Sequence, residues 1–468
     1  MNTMNILGEK VDVFSAKADL FVLPVFGGES FTIESVVSRL PEAARKSAVR
    51  QMKTLNFAAK LNETILVELA QGHGHMLSII GLGSTEDATL ETAREMIGTA
   101  VQCARRVGAK SIAVEIPVSA DGDVTDVAEA MVVAAQLADY AFDAYKAKNG
   151  IKRLKEMTLC IAQGRDVLRV RKAVEHGNAV ASGVNIARDL VNMPAKVMTP
   201  SALAEAAERI AKEGGKNISL NVLEREECEA LGMGAYLAVD DGSDTPLKFI
   251  HLTYTPERTT RTRLAVVGKG VTFDSGGLSL KSAESMMTMK GDMAGAAAVL
   301  GLFSAIGQLQ PRIEVHGLIA AVENMPSGKA IRPGDIVKSS NGKTIEILNT
   351  DAEGRLTLAD ALTYAVKLKP TAIIDLATLT GACLVALGEE ITGLMSNNDE
   401  LAERVIAAAG DAGEKIWRMP LEKRYKSLIE SDIADLRNIP TTRYGGSLTA
   451  GLFLEEFVEG WADLQPPK

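Results

Sequence analysis

Four acids and three cations stand close together along the second half of this chain. Asp274 closes the run "VTFD", Asp292 sits within "KGDMAG", and Asp351 and Glu353 alternate in "NTDAEGR". Lys269, Lys281 and Arg355 lie among them. Four carboxylates in one cleft could not all stay ionised unpaired, because like charges at close range raise each other's pKa. The three cationic side chains neutralise part of that charge, and divalent ions would neutralise more. Oxygen-rich sites with several carboxylates suit Mg, Mn or Zn, and paired metals activate water for hydrolysis.

Each residue also has a plainer reading. Asp292 alone reads as a helix N-cap. "GKG" reads as a turn with a surface lysine, and without the G-x-x-x-x-G-K-[ST] spacing it is no phosphate loop. "DSGG" is a common turn. Asp351, Glu353 and Arg355, at period two, would share one face of an extended segment and fit a solvated edge strand equally well. Only their coincidence raises the metal reading above these. Other chemistries fail on the residues present. The five histidines form no H-E-x-x-H pair, and no G-x-S-x-G elbow exists. Ser275 has no evident histidine partner. "GHGH" at 72–75 reads as an exposed loop, and His316, inside an apolar run, as a core residue.

The elements around these residues must bring them together. In open α/β sheets, sites lie beyond the carboxyl ends of strands. Lys269 to Asp274 follow the strand-like "LAVVG", Asn349 to Glu353 follow "TIEIL", and Asp292 begins the helix-like "MAGAAAVL". Similar alternation fills the first third, with strands at 18–26, 63–70, 75–83, 111–118 and 156–163 and apolar-periodic helices between them. From these we expect an α/β protein of two domains. Residues 1–165 would form a smaller mixed-sheet domain, 166–195 a connecting helix, and 196–468 a larger α/β/α domain with a mixed sheet. "TPS" at 199–201 marks a helix start and the paired glycines at 214–215 its end.

The 468 residues exceed one ordinary core, which agrees with two domains. A net charge of −9 argues against a general polyanion binder. Cys103, Cys160, Cys228 and Cys383 are widely spaced, which fits a reducing compartment. The N-terminus lacks a signal-peptide pattern, and no run is read as long enough to cross a bilayer. A cytoplasmic protein is expected.

Five blocks carry a family resemblance: "VGKGVTFDSGGLSLK" (Val267–Lys281), "MKGDMAGAAAVLG" (Met289–Gly301), "ENMPSGKAIRPGDIV" (Glu323–Val337), "NTDAEGRLTLADAL" (Asn349–Leu362) and "DLATLTGACLVALG" (Asp375–Gly388). Together they resemble the leucyl aminopeptidase family, the cytosolic M17 metallopeptidases, most strongly from Asn185 to Val458. The resemblance implies two divalent ions, Mn, Zn or Mg, on Lys269, Asp274, Asp292, Asp351 and Glu353. It implies Lys281 and Arg355 as the catalytic cations, with Arg355 holding a bicarbonate that shuttles protons. Lys269 would then ligate as a neutral amine with a depressed pKa. Peptides with a free N-terminus are the implied substrates, and a homohexamer the implied assembly.

Two positions depart from the family pattern. Ser282 stands where proline is usual, and Trp461 leads into "ADLQPPK" with Asp463 where histidine is usual. The second departure keeps open an inactive member, the first altering loop stiffness more than chemistry; a DNA-binding or regulatory protein of the same fold is a separate alternative. The acidic balance weighs against nucleic acid.

Overall fold

The computed structural model describes residues 4–29, 31–69, 75–117, 123–147, 153–258 and 260–458. His73, Trp461 and Asp463 lie outside them. The chain divides into two compact units, residues 1–182 and 183–468.

The first unit holds a six-stranded mixed sheet. Its strands are β1 (Asn5–Glu9), β2 (Leu20–Gly27), β3 (Thr64–Glu68), β4 (Met76–Ser84), β5 (Ser111–Glu115) and β6 (Glu156–Cys160). Their order is β1-β6-β5-β2-β4-β3, parallel except for β3 against β4. β2 is apolar at nearly every position because both its faces are covered. Leu20 and Val22 join one apolar cluster, and Phe21, Leu23 and Val25 the other. The sequence points to five of these strands and misses β1, whose "NILGE" alternates buried and partly polar positions too briefly to stand out. His75, from the "GHGH" motif, lies 2.6 Å through Nδ1 from the Ala18 carbonyl.

A single helix, Val167–Asn192, crosses the division at 182/183. Within the second unit, the hydroxyl of Thr199 accepts from Ala202 N–H at 3.2 Å and caps the helix Pro200–Glu213, with Gly214 at its end.

The second unit is built on β7 (Ile218–Leu223), β8 (Lys248–Tyr254), β9 (Arg263–Asp274), β10 (Glu314–Asn324) and, after the short β11 (Ile336–Lys338) and β12 (Thr344–Glu346), β13 (Ala372–Leu376). The order is β13-β9-β10-β8-β7, with β13, β9 and β10 parallel and β8 antiparallel to both its neighbours. A two-stranded sheet, β14 (Thr392–Leu394) with β15 (Ile416–Arg418), and a third small sheet stand apart.

Helices cover both faces of the main sheet. Val266, Ile319 and Ala321 pack under the helix Ala294–Leu309 with Val299 and Phe303. Ala265, Val267, Leu318 and Ala320 pack under the helix Gly354–Lys367 with Leu358 and Leu362. Fully buried side chains such as Phe303 and Leu358 each contribute about 1.5–3 kcal/mol by leaving water. The fold is therefore two α/β units, the second a three-layer α/β/α sandwich.

Several local expectations need correction. β9 does not end at "LAVVG"; it pairs with β10 as far as Asp274, so Lys269 lies within the strand. The segment "TIEIL" forms only the three-residue β12, in a small sheet with β11 and β16 (Leu436–Arg437), not in the main sheet. β7 and β8 escape the sequence reading, which followed continuous apolar runs, although both alternate apolar and polar residues. Within Ala283–Leu309 an 18-residue stretch reaches a mean hydropathy of 1.4, enough by length and composition to cross a bilayer. It is broken here into a four-residue helix, a 3-10 turn and the 294–309 helix, which packs against the sheet.

A polar chain crosses β8 and β10 within this core. Tyr364 Oη lies 3.2 Å from His251 Nδ1, and His251 Nε2 lies 3.0 Å from His316 Nδ1. His316 Nε2 lies 2.9 Å from Glu314 Oε1, which also accepts from Arg263 Nε. Thr253 Oγ1 is within 3.3 Å of both rings. Two imidazole nitrogens at 3.0 Å hold one proton between them, so a second proton is strongly disfavoured. Burial first, then His316, lowers His251 to about 4. A histidine depressed in the folded state supports stability above its unfolded pKa of about 6.5 and loses that support as pH falls towards 4. Over that window the loss should reach roughly 3 kcal/mol. Urea midpoints across pH should show it in the native protein and much less in His251→Gln.

Candidate metal centre

The strand pair β9 and β10 places the first two residues of the site. Lys269 faces Ala320 and Asp274 faces Asn324. The two partners are four apart on β10, so Lys269 and Asp274 share one face although they are five apart on β9. The extra residue is taken up by a bulge, where Val322 pairs with Val271 and Glu323 with Phe273.

The "NTDAEGR" segment is not an extended strand. Asp351 lies in a turn, and the helix starts at Gly354, with Arg355 in its first turn. Gly354 is required there, since a Cβ would come within 2.4 Å of Lys269 Cε and 2.6 Å of Nζ. Asn349 Oδ1 accepts from Asp351 N–H at 2.8 Å. The fully buried Asn438 holds the preceding residues: its Oδ1 accepts from Leu348 and Asn349 N–H, and its Nδ2 donates to the Asn349 carbonyl at 2.6 Å.

Six of the seven expected residues meet in ion pairs. Lys269 Nζ lies 2.7 Å from Asp292 Oδ2 and 3.0 Å from Glu353 Oε1. Lys281 Nζ lies 2.8 Å from Asp274 Oδ2 and also pairs with Asp351 Oδ1. Each lysine is thus clasped between two acids from different segments. Asp292 is no N-cap, for the helix begins at Ala294 behind Met293, and Asp292 Oδ1 accepts instead from Thr378 Oγ1 at 2.7 Å. Arg355 lies apart from these pairs, buried, with its guanidinium carbon 5.9 Å from the centre of the Phe453 ring.

The electrostatics show a cluster short of positive charge. Burial pushes Glu353 up to about 8, and Asp274 and Asp292 add to this against Lys269. Burial also raises Asp292 and Asp351, with Asp274 adding to both. With the protein's own charges alone, Lys269 is not depressed. Burial lowers it, but Glu353 and Asp292 outweigh burial and hold it above the ordinary lysine range. Burial brings the Arg355 guanidinium down to about 10.

These residues fit divalent cations. Among the described residues, Glu353 Oε2 is buried and accepts no hydrogen bond, and Asp292 Oδ2 has only the Lys269 ammonium. Asp274, Asp351 and Glu353 offer oxygens that all lie within 4.8 Å of one another. Arg355 Nε and Nη1 are buried donors without an acceptor, as a planar anion would require.

Comparison with known proteins points the same way. Residues 185–465 match the sequence model described as the cytosol aminopeptidase family, catalytic domain, and residues 22–149 match the family's N-terminal domain. The chain belongs to the cytosol aminopeptidase family. It is accordingly a peptidase. A probable cytosol aminopeptidase of Sulfurihydrogenibium sp. (strain YO3AOP1) is 41% identical over 97% of this chain and 90% of its own. One from Cyanothece sp. (strain PCC 7425 / ATCC 29141) is 48% identical over 83% and 78%. Among solved structures, a tomato leucine aminopeptidase mutant matches with a TM-score of 0.85 at 36% identity, over 98% of this chain and 90% of its own. The bottromycin maturation enzyme BotP, in complex with Mn, matches at 0.83 and 32%, over 95% and 90%.

Sequence reasoning passed over Thr378, Asn324, Thr350 and Asn438, all of which touch or brace the cluster. Two carried a visible signal: Asn324 is a polar residue closing the apolar run "HGLIAAVEN", and Thr378 follows "IIDLA" at a strand end.

Proposed function

We infer that this family member is a metal-dependent aminopeptidase that releases leucine and other N-terminal residues from peptides at a site for two divalent ions. The observation that carries this reading is the convergence of Lys269, Asp274, Asp292, Asp351 and Glu353, with a buried carboxylate oxygen left unpartnered. These five would hold the ions, Mn, Zn or Mg. When bound, such ions supply an activated water, an electrophile for the peptide carbonyl and a ligand position for the free α-amine.

The chain's own residues do the remainder. Lys269 binds a cation only as the free amine, so it must release its proton, and ion binding is coupled to pH. The Lys281 ammonium, held between Asp274 and Asp351, offers a fixed positive charge to the oxyanion of the tetrahedral intermediate. Arg355, whose Nε and Nη1 have no acceptor among the described residues, would hold a planar anion such as bicarbonate, which would supply a proton carrier. Exposed apolar side chains, among them Met287, Val385 and Trp417, support the homohexamer that the resemblance implies. The relatives' names favour the cytoplasm as its location. No observation favours a nucleic-acid role.

Hydrolysis of a leucyl amide tests the reading. Activity should vanish on exhaustive chelation and return with Mn²⁺, and anomalous scattering should count two ions per chain. Full activity after chelation would sink it.

A further inference from the structure

One carboxamide joins two of the acid-bearing segments. Asn324 is the last residue of β10, buried, and in register with Asp274. Its Nδ2 group has two hydrogens and uses both. One goes to Asp274 Oδ1 at 2.8 Å, the other to the carbonyl of Thr350 at 3.1 Å, one residue before Asp351. The main-chain carbonyl of Asn324 accepts from Ser275 N–H at 3.0 Å and Ser275 Oγ at 2.7 Å. Asp274 Oδ1 receives a second bond from Gly276 N–H at 2.8 Å, which leaves Oδ2 to the Lys281 ammonium and the cluster.

We propose that Asn324 is a positioning residue for the ion site, aiming Asp274 Oδ2 into the cluster and fixing the spacing between Asp274 and Asp351. The proposal rests on the reading of this cluster as an ion site. The chemistry calls for an amide: it must donate to a carboxylate and to a carbonyl at once, which neither an ionised acid nor an apolar side chain can do. Groups that orient a metal ligand in this way set its affinity, and their loss costs about 10–100-fold.

Titration calorimetry with Mn²⁺ on the chelated full chain, beside the melting temperature of the ion-free protein, tests this. Asn324→Ala, and Asn324→Leu of closer volume, should each weaken Mn²⁺ binding about 10–100-fold. A merely structural amide would lower the melting temperature of the variants and leave the Mn²⁺ affinity of the folded protein unchanged. That result in either folded variant overturns the proposal while the ion-site reading stands. A native protein that binds no Mn²⁺ overturns the reading and the proposal with it.

Discussion

Lys281→Met is expected to lower kcat for peptide hydrolysis by about 10²–10³, the usual cost of removing one group that stabilises an oxyanion. Methionine keeps the length and apolar stem of the side chain and removes only the charge. Lys281 stands between Asp274 and Asp351, where its ammonium is part of the cluster and also faces any substrate bound there. Taking it away frees two carboxylates from their cation, so attraction for divalent ions should hold or increase. The expected signature is a split: kcat falls, metal content per chain stays at the native level, and KM moves little. Metal analysis beside steady-state kinetics reads both. An unchanged kcat with a raised KM would show that Lys281 only binds substrate.

Glu353→Gln should abolish activity by the other route, through loss of the ions. Its carboxylate is wholly buried, with Oε1 3.0 Å from Lys269 Nζ and Oε2 unpartnered. Glutamine has the same shape, so packing under the first turn of the 354–367 helix is retained. It replaces one acceptor oxygen by an NH₂ donor and removes a full negative charge from the proposed ion site. The loss in Mn²⁺ affinity should exceed the roughly 10–100-fold that removing an outer partner of a ligand costs. At concentrations that saturate the native enzyme the variant should be inactive, and a large excess of Mn²⁺ should restore part of the rate. Native Mn²⁺ affinity in Glu353→Gln would remove this residue from the ligand set.

These expectations concern residues named from the sequence, yet their reasons come from contacts that the sequence did not reveal. Asp274, Asp292, Asp351 and Glu353, each ordinary alone at a turn or helix start, were recognisable as a set only by their coincidence near the ends of strand-like runs and a helix start. Their plainer readings could be set aside only in three dimensions. Asp292 lies one residue before the helix N-cap and accepts from Thr378. Asp351 sits in a turn that Asn349 and Asn438 hold from two sides. The expected depression of Lys269 does not follow from the side chains alone, since two acids outweigh its burial. β7 and β8 were passed over although Ile218-Ser219-Leu220-Asn221-Val222 and Ile250-His251-Leu252-Thr253-Tyr254 alternate apolar and polar residues, because the sequence reading followed the continuous apolar runs.

What the sequence determined by itself was the inventory: which groups could ligate, which could carry fixed positive charge, and which chemistries were excluded for want of histidine or a nucleophile elbow. It also determined the α/β class, because apolar runs and helical periods are local properties of the chain. The tertiary structure alone decided which of those groups share a face. A strand that slips by one residue turns every side chain over, and a single bulge at Val322 and Glu323 brings Asp274 onto the side of Lys269. Register is set by pairing with another strand, and here that strand, β10, also supplies the amide that holds Asp274 in place.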